Sequence, residues 1–186
     1  MEFPQPSEHH RILDRLVGDW LYVTSTGHPD YDPDDPVKRW TETFRSVGGL
    51  WFVGEGKGGM PDGSRATMII TLGYDPRLGH YVGTWVGSMM DKLWVYKGWL
   101  EDDGQTLILD AEGPGMQDPS RTELYRDVIH FNDDGTRSFS GSVRKQPSHQ
   151  PPLGCIRHSD THGEGTELGA GGEGCANTCS ARSVSF

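Results

Sequence analysis

The stretch Ala66-Thr67-Met68-Ile69-Ile70-Thr71-Leu72-Gly73-Tyr74-Asp75-Pro76-Arg77-Leu78-Gly79-His80-Tyr81-Val82-Gly83-Thr84-Trp85-Val86-Gly87 decides the fold. In its first half Met68, Ile70 and Leu72 fall on one side of a two-residue repeat, with Thr67 and Thr71 on the other. In its second half Tyr81 and Trp85 share one parity. A repeat of two marks a strand with one apolar face. Asp75-Pro76 and Gly79 supply turn chemistry between the halves, so the whole reads as a β-hairpin.

The same pattern extends in both directions. Trp20, Tyr22 and Thr24 alternate with Leu21 and Val23, and strand-like runs cover 38–47, 50–57, 66–74, 80–87, 93–100, 106–112, 122–131 and 137–143. Their connections hold Gly48-Gly49, Pro61-Asp62-Gly63, Asp102-Asp103-Gly104 and Asp133-Asp134-Gly135. Asp-Gly between alternating runs is a strong hairpin signal. Trp94 and Tyr96, and Tyr125, Ile129 and Phe131, repeat the arrangement of bulky residues on one parity. Successive hairpins with no helix between them predict a mainly β protein, an antiparallel up-and-down sheet. Such a sheet closes into a barrel or leaves edges that aggregate.

Before the first strand the period is helical. Ile12, Leu13, Leu16 and Val17 recur at helical spacing, Ser7 stands where an N-cap belongs and Gly18 follows as a stop. One short helix with a single apolar stripe is expected, packed on something larger. Thr26–Val37, with three prolines and four aspartates, reads as an excursion or loop.

The chain has 186 residues, of which 33% are apolar, with 26 glycines and 12 prolines. The apolar residues crowd into the first three quarters. From Lys145 onward no repeat of 2 or 3.6 survives, and Phe186 is the one aromatic. The expected organisation is therefore a barrel over residues 1–144 and a disordered, low-complexity tail over 145–186. The formal net charge of −10 argues against nucleic acid and anionic membrane surfaces as partners. No apolar run is long enough for a membrane helix. Met1-Glu2-Phe3-Pro4-Gln5-Pro6 has no signal-peptide character, so a cytoplasmic protein is expected.

The chain resembles a family of uncharacterised bacterial proteins placed in the calycin superfamily. The resemblance rests on His10-Arg11-Ile12-Leu13-Asp14-Arg15-Leu16-Val17-Gly18-Asp19-Trp20, Gly48-Gly49-Leu50-Trp51-Phe52-Val53-Gly54-Glu55-Gly56 and Thr71-Leu72-Gly73-Tyr74-Asp75-Pro76. It continues in Gly83-Thr84-Trp85-Val86-Gly87-Ser88-Met89-Met90 and Leu109-Asp110-Ala111-Glu112-Gly113-Pro114, covering most of residues 7–131. It implies a calycin-like barrel with an interior cavity and no known reaction. Relatives finish on a last aromatic strand that this chain lacks, and the tail reads as a frame change or an unrelated extension. An open edge beside the first strand, and a homodimer formed through it, are therefore expected.

Six tryptophans are many for such a barrel, and Trp20, Trp40, Met68, Tyr81, Trp85, Trp94, Tyr96 and Tyr125 are the candidate lining of a cavity for a small hydrophobic or aromatic ligand. In calycin-type barrels the Trp matching Trp20 plugs the closed end. Met89 and Met90 would add adaptable apolar surface. The competing reading is an enzyme of cyclase, isomerase or hydrolase type using an inward carboxylate. Glu42 shares parity with Trp40 and Phe44, and Asp127 with Tyr125 and Ile129, which makes them the catalytic candidates; Arg45 and Arg126 would be their cationic partners. An interaction protein pairing through an edge strand is the third reading.

Gly54-Glu55-Gly56-Lys57-Gly58-Gly59 is followed by a turn rather than a helix, so it is read as part of a hairpin and not as a phosphate loop. His80 and His130 fall on the parity opposite the aromatic residues, which argues against haem ligation. Cys155, His158, Cys175 and Cys179 have zinc-ligand chemistry but no apolar pattern to fold around a metal. No cofactor and no metal are expected.

Overall fold

The computed structural model describes residues 3–24, 32, 34–35, 37–60, 62–144 and the backbone of 177–183; of Thr24 too only the backbone is described. The chain opens with a single α-helical turn, α1 (Glu8–Arg11), continued by a 3₁₀ turn over Ile12–Leu16. Nine strands follow: β1 (Gly18–Thr24), β2 (Thr41–Val47), β3 (Trp51–Gly59), β4 (Arg65–Asp75), β5 (His80–Gly87), β6 (Trp94–Leu100), β7 (Thr106–Pro114), β8 (Thr122–Phe131) and β9 (Arg137–Arg144).

Each strand pairs antiparallel with the next in sequence, so the nine curl as an up-and-down half-barrel. In the deciding hairpin Ile70 faces Trp85 and Tyr74 faces Tyr81 across the ladder. The backbone of Asn177–Ser183 (β10) lies between β9 and β1, and with it the ring of paired strands closes. The place expected to be an open edge is thus occupied by a backbone segment from the stretch expected to have no folding pattern. The remainder of that stretch lies outside the described residues, as does most of the Thr26–Val37 excursion.

The predicted strands match the observed ones to within a few residues, because alternation and turn residues fix both ends. At the β2–β3 hairpin Gly48 and Gly49 have φ of 66° and 72°. A tight hairpin that follows the strand twist needs positive φ at both positions, which favours glycine.

One detail differs from expectation. The N-terminal element is not one regular helix. Its 3₁₀ turn brings Leu13 and Leu16 into line, three residues apart, and both are fully buried. The glycine run from Gly54 to Gly59, read as part of a hairpin, forms the second half of β3 and pairs with β4. Gly54, Gly56 and Gly58 face inward, and a Cβ on them would lie 2.5 Å from the Phe44 ring, 2.4 Å from Met68 and 2.0 Å from the Trp40 ring, respectively. Glycine stands in this strand because large side chains of β2 and β4 lie across it.

One end of the barrel is packed solid. Leu13, Leu16, Trp20, Phe44, Phe52, Leu72, Tyr81, Leu107, Leu109 and Phe131 form a continuous buried core there. Burial of each such side chain is worth about 1.5–3 kcal/mol. The N-terminal turns seal this end: Trp20 Nε1 donates to the Leu16 carbonyl at 2.7 Å, and the Tyr81 hydroxyl donates to the His9 carbonyl at 2.9 Å. Arg15 donates to the Asn132 carbonyl at 3.0 Å while its guanidinium lies 5.0 Å from the centre of the Phe131 ring.

Candidate functional site

At the opposite end the inward side chains are large but only partly covered. Trp40, Met68, Trp85, Trp94 and Tyr125 all have intermediate exposure there. They sit just before β2, in the first half of β4, β6 and β8 and in the second half of β5, which the antiparallel order brings to one rim. Trp85 and Trp94 face each other across the β5–β6 ladder. Trp94 meets Tyr125 edge to face, with ring centroids 4.7 Å apart. A Cβ on Gly113 would come within 2.3 Å of the Trp94 ring, so that glycine makes room for the indole. Trp40 is anchored by a 3.0 Å bond from Nε1 to the Gly59 carbonyl, and Tyr125 by a 2.5 Å bond to the Pro114 carbonyl.

Between the sealed end and this aromatic rim lies a belt of polar side chains. Tyr96 and Asp127 each sit two residues deeper than Trp94 and Tyr125 on the same strands, one step of roughly 7 Å inward. The Tyr96 hydroxyl donates to Asp127 Oδ2 at 2.5 Å. Burial raises the Asp127 carboxyl above its ordinary range, and the Tyr96 hydrogen bond opposes that rise only in part. Burial likewise pushes the Tyr96 phenol up, helped by the neighbouring Asp127 carboxylate.

On the other side of the belt the Tyr22 hydroxyl donates to Glu42 Oε2 at 2.9 Å, and Arg137 forms an ion pair with the same oxygen. The Arg137 guanidinium lies between Trp20 and Phe44, 4.2 Å and 5.0 Å from their ring centres. Both members of the pair are 4% exposed. Removed from water, each ion depends on the other.

The sequence candidates therefore divide. Trp40, Met68, Trp85, Trp94 and Tyr125 gather at the open rim, and Tyr96 stands just beneath them. Trp20 and Tyr81 belong to the sealed end, where burial pushes the Tyr81 phenol up to about 12. Glu42 and Asp127 both point inward, but Glu42 is bonded to a cation and Asp127 to a phenol. Arg45 is exposed. Arg126 faces outward, bonded through Nε and Nη2 to Asp110 at 2.6 and 2.7 Å and lying 4.8 Å from the Trp99 ring. Met89 and Met90 are exposed at the rim; Met90 Sδ accepts a bond from Trp94 Nε1 at 3.0 Å. His130 is bonded to Thr106 and His80 to the Leu78 carbonyl.

Sequence reasoning did not find Arg137 and Tyr22 as partners of Glu42. Parity places Arg137 inward, but no spacing rule links residues 95 positions apart. Among the described residues no group of three or more His, Cys, Asp or Glu is placed to hold a metal ion. The side chains of Cys155, His158, Cys175 and Cys179 lie outside the described residues.

The class these observations define is an antiparallel up-and-down β-barrel, plugged at one end by its N-terminal turns and carrying an aromatic rim at the other. Residues 5–150 match the family model described as "Protein of unknown function (DUF1579)", and the chain belongs to that family. No curated protein matches it. Among the described residues no helix is long and apolar enough to cross a membrane.

Proposed function

We propose that the barrel binds a small hydrophobic or aromatic molecule at its open end, as a calycin-like protein would, in the cytoplasm. The observation that carries this reading is the gradient of burial along the inner face. The rings at the sealed end are almost wholly buried, whereas Trp85, Trp94 and Tyr125, on the same inner face, are only partly covered. Inward aromatic surface left uncovered is what a ligand site of this kind requires. The polar belt beneath gives such a site a few hydrogen-bonding groups to orient its occupant.

The test is a titration of the purified protein with a broad panel of apolar and aromatic compounds, followed through tryptophan fluorescence. Saturable quenching at one equivalent, lost in Trp85→Ala, is expected. Fluorescence that no compound moves, together with an inner face filled by side chains to the rim, would remove the reading.

A second reading, an enzyme using an inward carboxylate, draws on Asp127. Its raised carboxyl beside the Tyr96 phenol forms a pair that could hold and deliver a proton. A reaction of this type would be abolished by Asp127→Asn while ligand binding persisted.

A further inference from the structure

Among the described residues the charges on the inner face of the barrel do not balance. Arg137 is met by Glu42. Asp127 is partly buried, and its hydrogen-bond partner among the described residues is a neutral phenol, which occupies Oδ2 alone. Its other oxygen, Oδ1, lies 3.1 Å from where a Cβ on Gly141 would stand. Any side chain larger than hydrogen at Gly141 would crowd that oxygen. Facing inward beneath the aromatic rim is thus a carboxyl group that, among the described residues, has no counter-charge and no hydrogen-bond partner beyond Tyr96.

We propose that the occupant of this site is a small organic amine, with its ammonium group at Asp127 and its apolar or aromatic body between Trp85, Trp94 and Tyr125. This rests on the reading of the open end as a ligand site and adds the charge of the ligand.

Three features support the assignment. A buried carboxylate without a cation is unfavourable, and a bound ammonium group supplies both the missing charge and a donor for Oδ1. The rings above Asp127 offer electron-rich faces that attract a cation and repel an anion. The step from the Trp94–Tyr125 pair to the Tyr96–Asp127 pair, roughly 7 Å, spans a ring joined to an amine by a short alkyl chain. An anionic ligand has less to meet, because the inward guanidinium of Arg137 is held by Glu42 between two rings. At the rim the Lys92 ammonium stands 5.9 Å from the centre of the Trp94 ring, so the cationic place for a ligand is the deeper one.

The experiment compares three probes of one shape on the full chain by calorimetry: 2-phenylethylamine, 2-phenylethanol and 3-phenylpropionate. The amine is expected to bind about tenfold or more tightly than the alcohol, the gain of a charge-assisted hydrogen bond, and the carboxylate most weakly. In Asp127→Asn the advantage of the amine over the alcohol should fall to about twofold or less, with the alcohol unaffected. Equal binding of all three probes, or preference for the carboxylate, overturns the charge assignment and leaves the aromatic site standing. Binding of neutral aromatic dyes without any of the three probes does the same. Failure of every probe and dye overturns both. The wild-type comparison decides the matter even if Asp127→Asn does not fold.

Discussion

Replacing Glu42 by glutamine tests whether the inner belt holds the barrel together. The substitution keeps the shape and the acceptor for Tyr22, but leaves the Arg137 guanidinium between Trp20 and Phe44 without its carboxylate. Both partners are 4% exposed, so solvent screening is slight and the surface-pair value of at most about 1 kcal/mol does not apply. Breaking a buried pair from one side costs about 3–5 kcal/mol, because the charge that remains inside loses the carboxylate that offset its removal from water. For a chain of this size that corresponds to a fall in Tm of roughly 6–20 °C. Removing both charges in Glu42→Gln/Arg137→Met should restore most of the loss, since an apolar side chain suits the ring-lined slot. The assay is urea denaturation of the wild type, both single variants and the double variant. A coupling of about 2 kcal/mol or more across the cycle is expected. A loss below about 1 kcal/mol in Glu42→Gln, or additive single effects, would show that water reaches the pair and would refute the argument.

Three further outcomes follow from the same geometry. Gly58→Ala places a methyl group 2.0 Å from the Trp40 ring, and overpacking of this kind costs about 1–3 kcal/mol, read by thermal denaturation; an unchanged Tm would mean the indole is free to swing away. Asp127 has a raised carboxyl in the folded state, so its contribution favours folding below the ordinary carboxyl range and is lost as pH rises through the raised value. Asp127→Asn should therefore gain stability relative to wild type as pH increases from about 4 to 8, and a constant difference across that range would contradict the burial of the group. Truncation after residue 144 removes β10 and exposes the edges of β1 and β9, so the shortened chain is expected to dimerise or aggregate, measured by light scattering; a stable monomer would show that those edges are closed without it.

Much of this architecture is legible in the sequence, for reasons that also set the limits. Alternation tells which way each side chain points, so Met68, Ile70 and Leu72, or Tyr125, Asp127 and Ile129, sort correctly into the inner face. Asp-Gly and Gly-Gly pairs locate the hairpins. Alternation does not say what lies across the barrel, and the pairing of Glu42 with Arg137 depends on strands that meet only after the sheet curls. Glycine carries no hydropathy, so the second half of β3 hides its pattern; its logic lies in the Phe44, Met68 and Trp40 side chains placed over Gly54, Gly56 and Gly58. The division of the aromatic residues between sealed end and rim was equally hidden. Trp20 and Trp85 share the inner face, and only the seating of Leu13 and Leu16 against one end distinguishes them. Residues 177–183, Asn-Thr-Cys-Ser-Ala-Arg-Ser, lack large apolar side chains, so nothing in their pattern announces a strand.

The most direct test of the central claim, that the accessible inner rings form a binding site, is a nitrogen–proton NMR titration of the six indole N–H signals with 2-phenylethylamine, assigned through single Trp→Phe variants. Trp85 and Trp94 are expected to shift together and saturate, while Trp51 and Trp99, exposed on the outer face, stay in place. Shifts confined to Trp51 and Trp99, or no shift in any indole with this or any neutral aromatic probe, would contradict the account.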